Sequence, residues 1–260
     1  MVRTVTVTRY VTPLREGGSL PAIVEADDDG LYVLKFRGAG QGPRALIAEL
    51  VAGEIGRALG LRVPEIVFAR LDPALGRNEP DFEVQDLIKA SGGLNLALDF
   101  LPGALAFDPL ARPRVDARLA SEIVWFDAYT TNVDRTARNT NMLLWHKHLW
   151  LIDHGAALYF HHNWGDYRAQ SRRPFAAIKE HVLLPQAAAL AEADATLRAR
   201  LTPAALERIV AAIPDEWLLA DPQFAGPAEQ RAAYSTYLIS RLEASHAFVE
   251  VAEHARAQLV

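Results

Sequence analysis

The sequence has no cysteine among its 260 residues. This absence excludes disulfides, thiol nucleophiles and cysteine-ligated zinc sites, and it fits a reducing compartment. No segment approaches the roughly 20 consecutive apolar residues of a membrane span. The first residues alternate apolar and polar side chains, whereas a signal peptide needs a continuous apolar core. We therefore expect a soluble, cytoplasmic protein that does not bind membranes.

An excess of positive charge is also missing, because 27 lysines and arginines are outnumbered by 32 aspartates and glutamates, giving a net charge of −5. A broad nucleic-acid surface needs clustered excess lysine and arginine, so we expect no direct binding of nucleic acid. One nucleotide pocket is still compatible with this charge, since it needs only a few donors. Half of the residues are apolar, which is enough for a sizeable core in one large domain or two lobes.

The most informative stretch is residues 131–155, in which polar residues flank two short apolar segments. The apolar segments Met142–Trp145 and Leu149–Ile152 are predicted to be strands, with a turn at Lys147 and His148 between them. A hairpin of this kind brings its two ends together. The polar residues before and after it are therefore expected to meet in space.

Asp134 and Asn139 precede this hairpin, and Asp153 follows it directly before His154 and Gly155. Two carboxylates and an amide at one end of a hairpin form a hard oxygen-ligand site, suited to Mg²⁺ and phosphate. Each residue alone has an ordinary structural interpretation. Asp134 could cap a helix or pair with a neighbouring arginine, and Asp153 could be a turn aspartate before a glycine.

The first third of the chain offers groups that could hold phosphates. Gly17, Gly18 and Ser19 lie between strand-like segments, where they could form a hairpin turn or cover phosphates with their amides and hydroxyl. Lys35 lies inside the apolar strand-like segment Leu31–Phe36, where a lysine often extends its ammonium to water. A helical pattern follows over residues 45–59, and Gly60 can end it.

Three further segments complete the predicted organisation. Phe82–Ile88 alternates apolar and polar residues, which predicts the last strand of a small sheet. Lys89–Gly93 breaks the pattern and is interpreted as the neighbourhood of a hinge, and short helices and loops are expected from Leu94 to Pro113. Val115–Thr130 has a helical period and leads into the polar loop. The remainder of the chain is predicted to be mainly helical.

The order D-R-x-x-x-N, hairpin, D-x-G resembles the catalytic loop and metal-binding segment of protein-kinase-like folds, most closely those of the HipA-like kinases and more distantly those of lipid kinases. Thr136 stands where these groups usually carry histidine, and His154 is the middle residue of D-x-G. The resemblance implies an α+β, two-lobed protein-kinase-like fold over the whole chain. It places a small, mainly β N-lobe at about residues 1–88 and a larger, α-rich C-lobe at about residues 89–260.

The same resemblance implies a role for each candidate residue in ATP- and Mg²⁺-dependent phosphorylation of a hydroxyl, with protein serine or threonine as the expected acceptor. Lys35 would hold the nucleotide phosphates and pair with Glu49, for which Glu54 is an alternative. Asp134 would accept or orient the hydroxyl proton. The residues implied to contact phosphates or Mg²⁺ directly are Gly17, Gly18 and Ser19, which would cover the phosphates, and Asn139 and Asp153, which would hold Mg²⁺.

Several alternatives remain open from the residues themselves. The chain could be a small-molecule kinase or a nucleotide-binding pseudokinase without catalysis. Arg135 could hold Asp134 in position or bind phosphate. The His161-His162 pair could lie near the acceptor or on plain surface. A metal-dependent hydrolase would instead use imidazole ligands for zinc, for which the chain offers His146, His148, His154, His161 and His162.

Overall fold

A closed barrel of five strands forms the first part of the computed structural model, which describes residues 2–14, 20–40, 42–77, 79–111, 114–218 and 222–259. The strand order around the barrel is β1-β2-β3-β5-β4, and only the β1–β4 pair is parallel. These strands are β1 Thr4–Pro13, β2 Ala22–Ala26, β3 Leu31–Lys35, β4 Ile66–Leu71 and β5 Gly93–Asp99.

Alternation of side chains builds the inside of this barrel. Val5, Val7, Val24 and Leu34 are buried, while their neighbours along each strand are more exposed. Successive side chains of a strand point to opposite faces, so the period-two pattern of the sequence becomes a small apolar core. The predictions of β1, β2 and β3 are confirmed.

Helix α1, Pro43–Ala58, lies against the barrel and is buried along most of its length. Pro43 stands at its first position, where a missing amide hydrogen costs nothing, and Gly60 follows its end with a φ of +83°. A Cβ atom on Gly53 would lie 2.4 Å from Ile66 Cδ1. The glycine therefore allows α1 to approach β4 closely, which fixes the helix relative to the sheet.

The prediction of a strand over Phe82–Ile88 is wrong, because this segment belongs to helix α2, Phe82–Ala90. The Asp81 side chain accepts a hydrogen bond of 3.0 Å from the backbone N–H of Glu83 and caps the helix. Val84 and Ile88 are buried at a spacing of four residues, while Phe82 is exposed. Alternation over so short a segment fits a strand as well as one face of a helix, and the capping aspartate was the deciding signal.

The last strand of the barrel is β5, Gly93–Asp99, rather than the predicted Phe82–Ile88. The residues interpreted as a hinge therefore end α2 and begin β5, and the loops expected from Leu94 onward start only after Asp99. Strand β5 pairs with both β3 and β4, and most of its side chains are buried. A boundary at residue 88 would separate this central strand from the barrel to which it belongs.

The rest of the chain is mainly helical around a small sheet of order β6-β7-β8, made of Leu105–Ala106, Met142–Trp145 and His148–Leu151. The predicted hairpin is confirmed, but its turn residues are His146 and Lys147, both with positive φ, and not Lys147 and His148. No helix among the described residues is both long and apolar enough to cross a membrane. The helices are α3 Ala117–Thr130, α4 Tyr167–Ser171, α5 Leu190–Arg200, α6 Pro203–Ala211, α7 Pro227–Glu243 and α8 His246–Ala257.

Helix α3 is the centre of this part. Asp116 caps its first turn by accepting from the backbone N–H groups of Arg118 and Leu119, and the helix packs against α5, α7 and α8. Thr131 ends it in the left-handed region, with a φ of 53°. This turn directs the chain out of the core and into the polar loop before the hairpin.

Candidate active site

Lys35 joins three elements at one point. It is the last residue of β3, and its Nζ atom lies 2.8 Å from Glu49 Oε2 on α1 and 2.5 Å from Asp153 Oδ1 after the hairpin. The Lys35 side chain is 13% exposed and the Glu49 side chain is fully buried. The structure therefore brings together three of the predicted residues that lie up to 118 positions apart in sequence.

Charge balance keeps this pair ionised. Burial by itself lowers the pKa of Lys35, but the negative charges of Glu49 and Asp153 raise that pKa above its ordinary value. Burial likewise raises the pKa of Glu49, but the Lys35 ammonium and a hydrogen bond from His154 bring that pKa well below its usual range. A buried charge is tolerated when it is paired and hydrogen-bonded in this way.

Glu49 also holds the segment that contains Asp153. The backbone N–H of His154 donates to Glu49 Oε2 at 2.8 Å, and the ring Nδ1 lies 3.2 Å from Oε1. Since a carboxylate only accepts, Nδ1 carries the proton. His154 is fully buried and meets the Phe126 ring edge-on at 5.7 Å. This histidine therefore anchors the segment and orients Asp153 toward Lys35.

A second group forms where the polar loop meets the hairpin. Asn139 Nδ2 donates to Asp134 Oδ2 at 2.7 Å, and Asn141 Nδ2 lies 3.3 Å from the same oxygen. Asn141 Nδ2 also reaches the backbone oxygen of Asp153 at 3.5 Å. Asn141 therefore links Asp134, which precedes the hairpin, to the backbone of Asp153, which follows it. Sequence reasoning missed Asn141, although the N-T-N pattern after the loop was a visible signal.

Arg135 is enclosed beneath this loop. It is 1% exposed, and its Nε donates to Asp127 Oδ2 at 2.5 Å. Its Nη1 donates to the backbone oxygen of Asn141 and lies 3.5 Å from that of Ile152. The guanidinium thus ties α3 to both ends of the hairpin and is not accessible to a phosphate.

Asp127 and His181 complete this network, and neither was identified from the sequence. The backbone N–H of Leu183 donates to His181 Nδ1, so Nε2 carries the proton and donates to Asp127 Oδ2 at 2.9 Å. Burial raises the pKa of Asp127, but the Arg135 charge and the His181 hydrogen bond lower it well below its usual range. A carboxylate within the apolar period of α3, between Phe126 and Ala128, was the available signal.

A model of the HipA-like kinase family matches residues 7–250 of the chain. The chain belongs to the HipA-like kinases. This family membership makes it a kinase phosphotransferase by descent, and it confirms the resemblance carried by the D-R-x-x-x-N loop and the D-x-G segment. A search of curated proteins found no match to the chain.

Solved structures share the fold of this HipA-like kinase. A proinflammatory kinase of Helicobacter pylori, CtkA, is similar over the full length of both chains, with a TM-score of 0.60 and 14% identity. The Golgi casein kinase with Mn and ADP bound has a TM-score of 0.54 and 13% identity, covering 99% of this chain and 76% of its own. At such identities the likeness shows a protein-kinase-like fold, with mixed strands and helices.

The remaining candidate residues of this HipA-like kinase are Gly17, Gly18, Ser19 and Glu54. Gly17, Gly18 and Ser19, predicted to cover phosphates, lie outside the described residues. Glu54 pairs with Arg57 at 3.2 Å and not with Lys35, so Glu49 is the partner of Lys35.

The histidines do not assemble as a zinc site would require. His146 lies in the hairpin turn, and His148 begins β8 as an exposed residue. His161 is fully buried and its Nδ1 contacts the Tyr234 hydroxyl at 3.0 Å, so it is not a surface residue. In the part of the chain that the structure describes, no three histidine, aspartate or glutamate side chains are grouped to hold a metal ion.

Proposed function

We propose that this HipA-like kinase transfers the γ-phosphoryl group of ATP, with Mg²⁺, to the hydroxyl of a serine or threonine in a protein. The observation that carries the proposal is the contact of Lys35 with both Glu49 and Asp153. A strand lysine paired with a helix glutamate is the arrangement by which kinases hold nucleotide phosphates. The Mn and ADP bound to the structurally similar Golgi casein kinase support a nucleotide and a divalent ion as ligands.

In this proposal the chain is one kinase domain with two lobes. The barrel and α1 form the smaller lobe, which we extend from the predicted residue 88 to Asp99, because β5 is an integral barrel strand. The hairpin and the remaining helices form the larger lobe. ATP would lie between them, where Lys35 of the barrel meets Asp153.

The residues present fit a hard divalent ion. Asn139 donates its amide hydrogen to Asp134, which leaves its Oδ1 available, and Asp153 uses Oδ1 for Lys35, which leaves Oδ2 available. Amide and carboxylate oxygens of this type are the ligands that Mg²⁺ takes together with substrate phosphates. When bound, Mg²⁺ would supply positive charge at the β- and γ-phosphates.

In the proposed reaction Asp134 would receive the proton of the acceptor hydroxyl. Its carboxylate already accepts hydrogen bonds from Asn139 and Asn141, which fix its orientation. The acceptor hydroxyl oxygen would form a bond to the γ-phosphorus while the bond from that phosphorus to the β-phosphate oxygen breaks. The hydroxyl proton would pass to Asp134, and ADP would leave with the electron pair of the broken bond.

Calorimetry of ATP binding, with and without Mg²⁺, tests this site. We expect Mg²⁺-dependent binding to the unaltered protein and at least about tenfold weaker binding to Lys35→Met, because the buried ammonium is the phosphate ligand. Lys179→Met is the matched control, since Lys179 is an exposed lysine that pairs with Glu180 and is not one of the candidate site residues. Equal affinity of the two variants would contradict the role of Lys35, and absence of ATP binding altogether would favour a different chemistry.

A further inference from the structure

A groove of about 160 Å³ lies beside the polar loop that contains Asp134. Its lining includes Thr131 from the end of α3, Tyr159 and Arg173 from the segment after the hairpin, and Tyr237 and Arg241 from α7. This volume corresponds to about five water molecules at roughly 30 Å³ each, so it can admit the end of a side chain.

The floor of the groove carries a buried positive charge without a negative partner. Arg241 is 1% exposed, and its guanidinium donates to the backbone oxygens of Ala128, Tyr129, Ser171 and Arg173 and is hydrogen-bonded to the Tyr237 side chain. Burial lowers the pKa of Arg241. Among the described residues no carboxylate pairs with it, which is unusual for a buried cation.

The rim of the groove carries a second arginine without a carboxylate partner. Arg173 is exposed, and no carboxylate among the described residues pairs with its side chain. Its neighbour Arg172 differs, because it contacts Glu243 at 3.9 Å and the Ser240 hydroxyl at 3.3 Å. No aspartate or glutamate of the described chain lines the groove. The groove is therefore positive in a protein whose net charge is negative.

The groove is within reach of the proposed acceptor position. The Thr131 hydroxyl accepts a hydrogen bond of 3.1 Å from the backbone N–H of Tyr159, which joins the groove wall to the catalytic loop. Asp134 follows Thr131 by three positions, and three residues span at most roughly 11 Å. An extended peptide with its hydroxyl at Asp134 would therefore pass the groove within about three positions of that hydroxyl.

We infer that the groove binds the carboxylate of an aspartate or glutamate in the protein acceptor, within about three residues of the phosphorylated serine or threonine. This inference rests on the proposed function and names the class of acceptor sequence. The exposed guanidinium of Arg173 contacts the carboxylate, while the buried Arg241 supplies a fixed positive field from below. The exposed Tyr159 ring forms the side of the groove facing the peptide.

Pairs of serine peptides test this inference, with glutamate or its neutral isostere glutamine at each position from three before to three after the serine. We measure kcat/KM with ATP and Mg²⁺, and peptide affinity by fluorescence anisotropy with ADP and Mg²⁺. At one or more positions the glutamate peptide is expected to have about tenfold higher kcat/KM and about tenfold higher affinity than the glutamine peptide. A hydrogen bond to a charged group contributes an effect of this size. Arg173→Gln is expected to remove this preference, and Arg172→Gln is expected to keep it.

The two measurements separate failure of the inference from failure of the proposed function. Equal affinity and turnover of the glutamate and glutamine peptides at every position would overturn the inference, and so would a preference that survives Arg173→Gln. A preference in affinity that Arg173→Gln removes, without phosphorylation of any peptide, would support the groove and reject phosphoryl transfer to protein. Binding of no peptide at all would overturn the inference, and it would direct the search for an acceptor to small molecules.

Discussion

Asp134 and Asn139 share one hydrogen bond, which uses the amide nitrogen of Asn139 and leaves its Oδ1 atom available to a cation. Asn141 completes the arrangement, because its amide reaches both Asp134 and the backbone of Asp153. The proposed proton acceptor Asp134 and the proposed metal ligands are therefore linked by one small set of amides. A change at Asp134 or Asn139 should alter catalysis more than it alters folding, since Asp134 is half-buried and Asn139 is exposed.

Replacing Asp134 by asparagine should abolish transfer while ATP binding stays within about twofold. The asparagine oxygen can still accept from Asn139, so the loop keeps its geometry, but the group can no longer accept a proton. General-base catalysis contributes roughly 10²–10⁴-fold, and kcat is expected to fall by that amount in a steady-state transfer assay.

Asp29→Asn is the matched control for Asp134→Asn. Asp29 is exposed in a turn with a φ of 61°, a conformation that asparagine tolerates. The control should leave kcat unchanged. Near-normal turnover of Asp134→Asn would remove this residue from the mechanism.

At the scale of elements, the β7–β8 hairpin is attached to helix α3 by the Arg135 guanidinium. The guanidinium Nε donates to Asp127, and Nη1 contacts the backbone oxygens of Asn141 and Ile152 at the two ends of the hairpin. His181 holds Asp127 from the opposite side. The buried ion pair therefore positions the loop and the D-x-G segment together, which is a structural role with a catalytic consequence.

Arg135→Met should lower the free energy of unfolding by about 3–5 kcal/mol, because it leaves the Asp127 carboxylate buried without a cation. The double variant Asp127→Leu with Arg135→Met should recover part of this stability, since the uncompensated charge is gone. It should not recover kcat, because the hairpin ends have lost their attachment. Urea denaturation and transfer assays on the same samples measure the two effects.

The exposed pair Arg118–Glu122 on α3 is the control for this experiment. Exposed pairs four residues apart on a helix contribute about 0.3–0.5 kcal/mol, so Arg118→Met should change stability by no more than that. Full recovery of kcat in the double variant would show that the ion pair does not position the site.

For the whole molecule, contacts from the helical part fix the barrel and α1 in place. Trp217 is fully buried, donates from Nε1 to the backbone oxygen of Leu94 at 3.1 Å, and meets the Phe68 ring edge-on. Arg37 pairs with Glu216 at 3.0 Å, and Arg200 donates to the backbone oxygen of Leu59. The chain segments immediately before and after α1 are therefore both held by the later part of the chain, which keeps Glu49 beside Lys35.

Buried carboxylates should make stability fall at acid pH. The pKa values of Glu49 and Asp127 are depressed below their ordinary 4.5 and 3.8, so their contribution is present above those ordinary values. It is lost as pH falls toward the depressed values, in practice below about pH 5. The raised pKa of Lys35 affects stability at alkaline pH. Its contribution to stability is present at lower pH and is lost only as pH rises above the ordinary value of 10.5.

Urea denaturation between pH 3 and pH 7 measures this dependence, and Asp127→Asn isolates one carboxylate. For each proton that the unfolded chain binds in excess of the folded protein, the free energy of unfolding changes by about 1.4 kcal/mol per pH unit. The variant should therefore show a shallower acid slope than the unaltered protein, whatever its absolute stability. An identical slope would mean that Asp127 is not ionised in the folded protein.

The sequence by itself determined the elements and residues whose signals are local. Alternation identified β1, apolar runs identified β2 and β3, and the helical period identified α1 and α3. The D-R-x-x-x-N loop with its hairpin identified Asp134, Asn139 and Asp153 as a group. These features depend on residues a few positions apart, where backbone geometry imposes a fixed period. Family membership and the meeting of these residues were both accessible from that pattern.

Only the tertiary structure decided the features that depend on distant partners. Phe82–Ile88 was predicted as a strand and belongs to α2, whereas the residues of β5 were predicted as hinge, short helices and loops. A short segment that fits both a strand and one face of a helix adopts the form whose apolar side chains its neighbours can bury. Arg135 could not be placed from the sequence, since its partners Asp127 and Ile152 come from α3 and the far end of the hairpin. The positive groove required Arg173 and Arg241, 68 residues apart, and such proximity follows from packing, which no local period encodes.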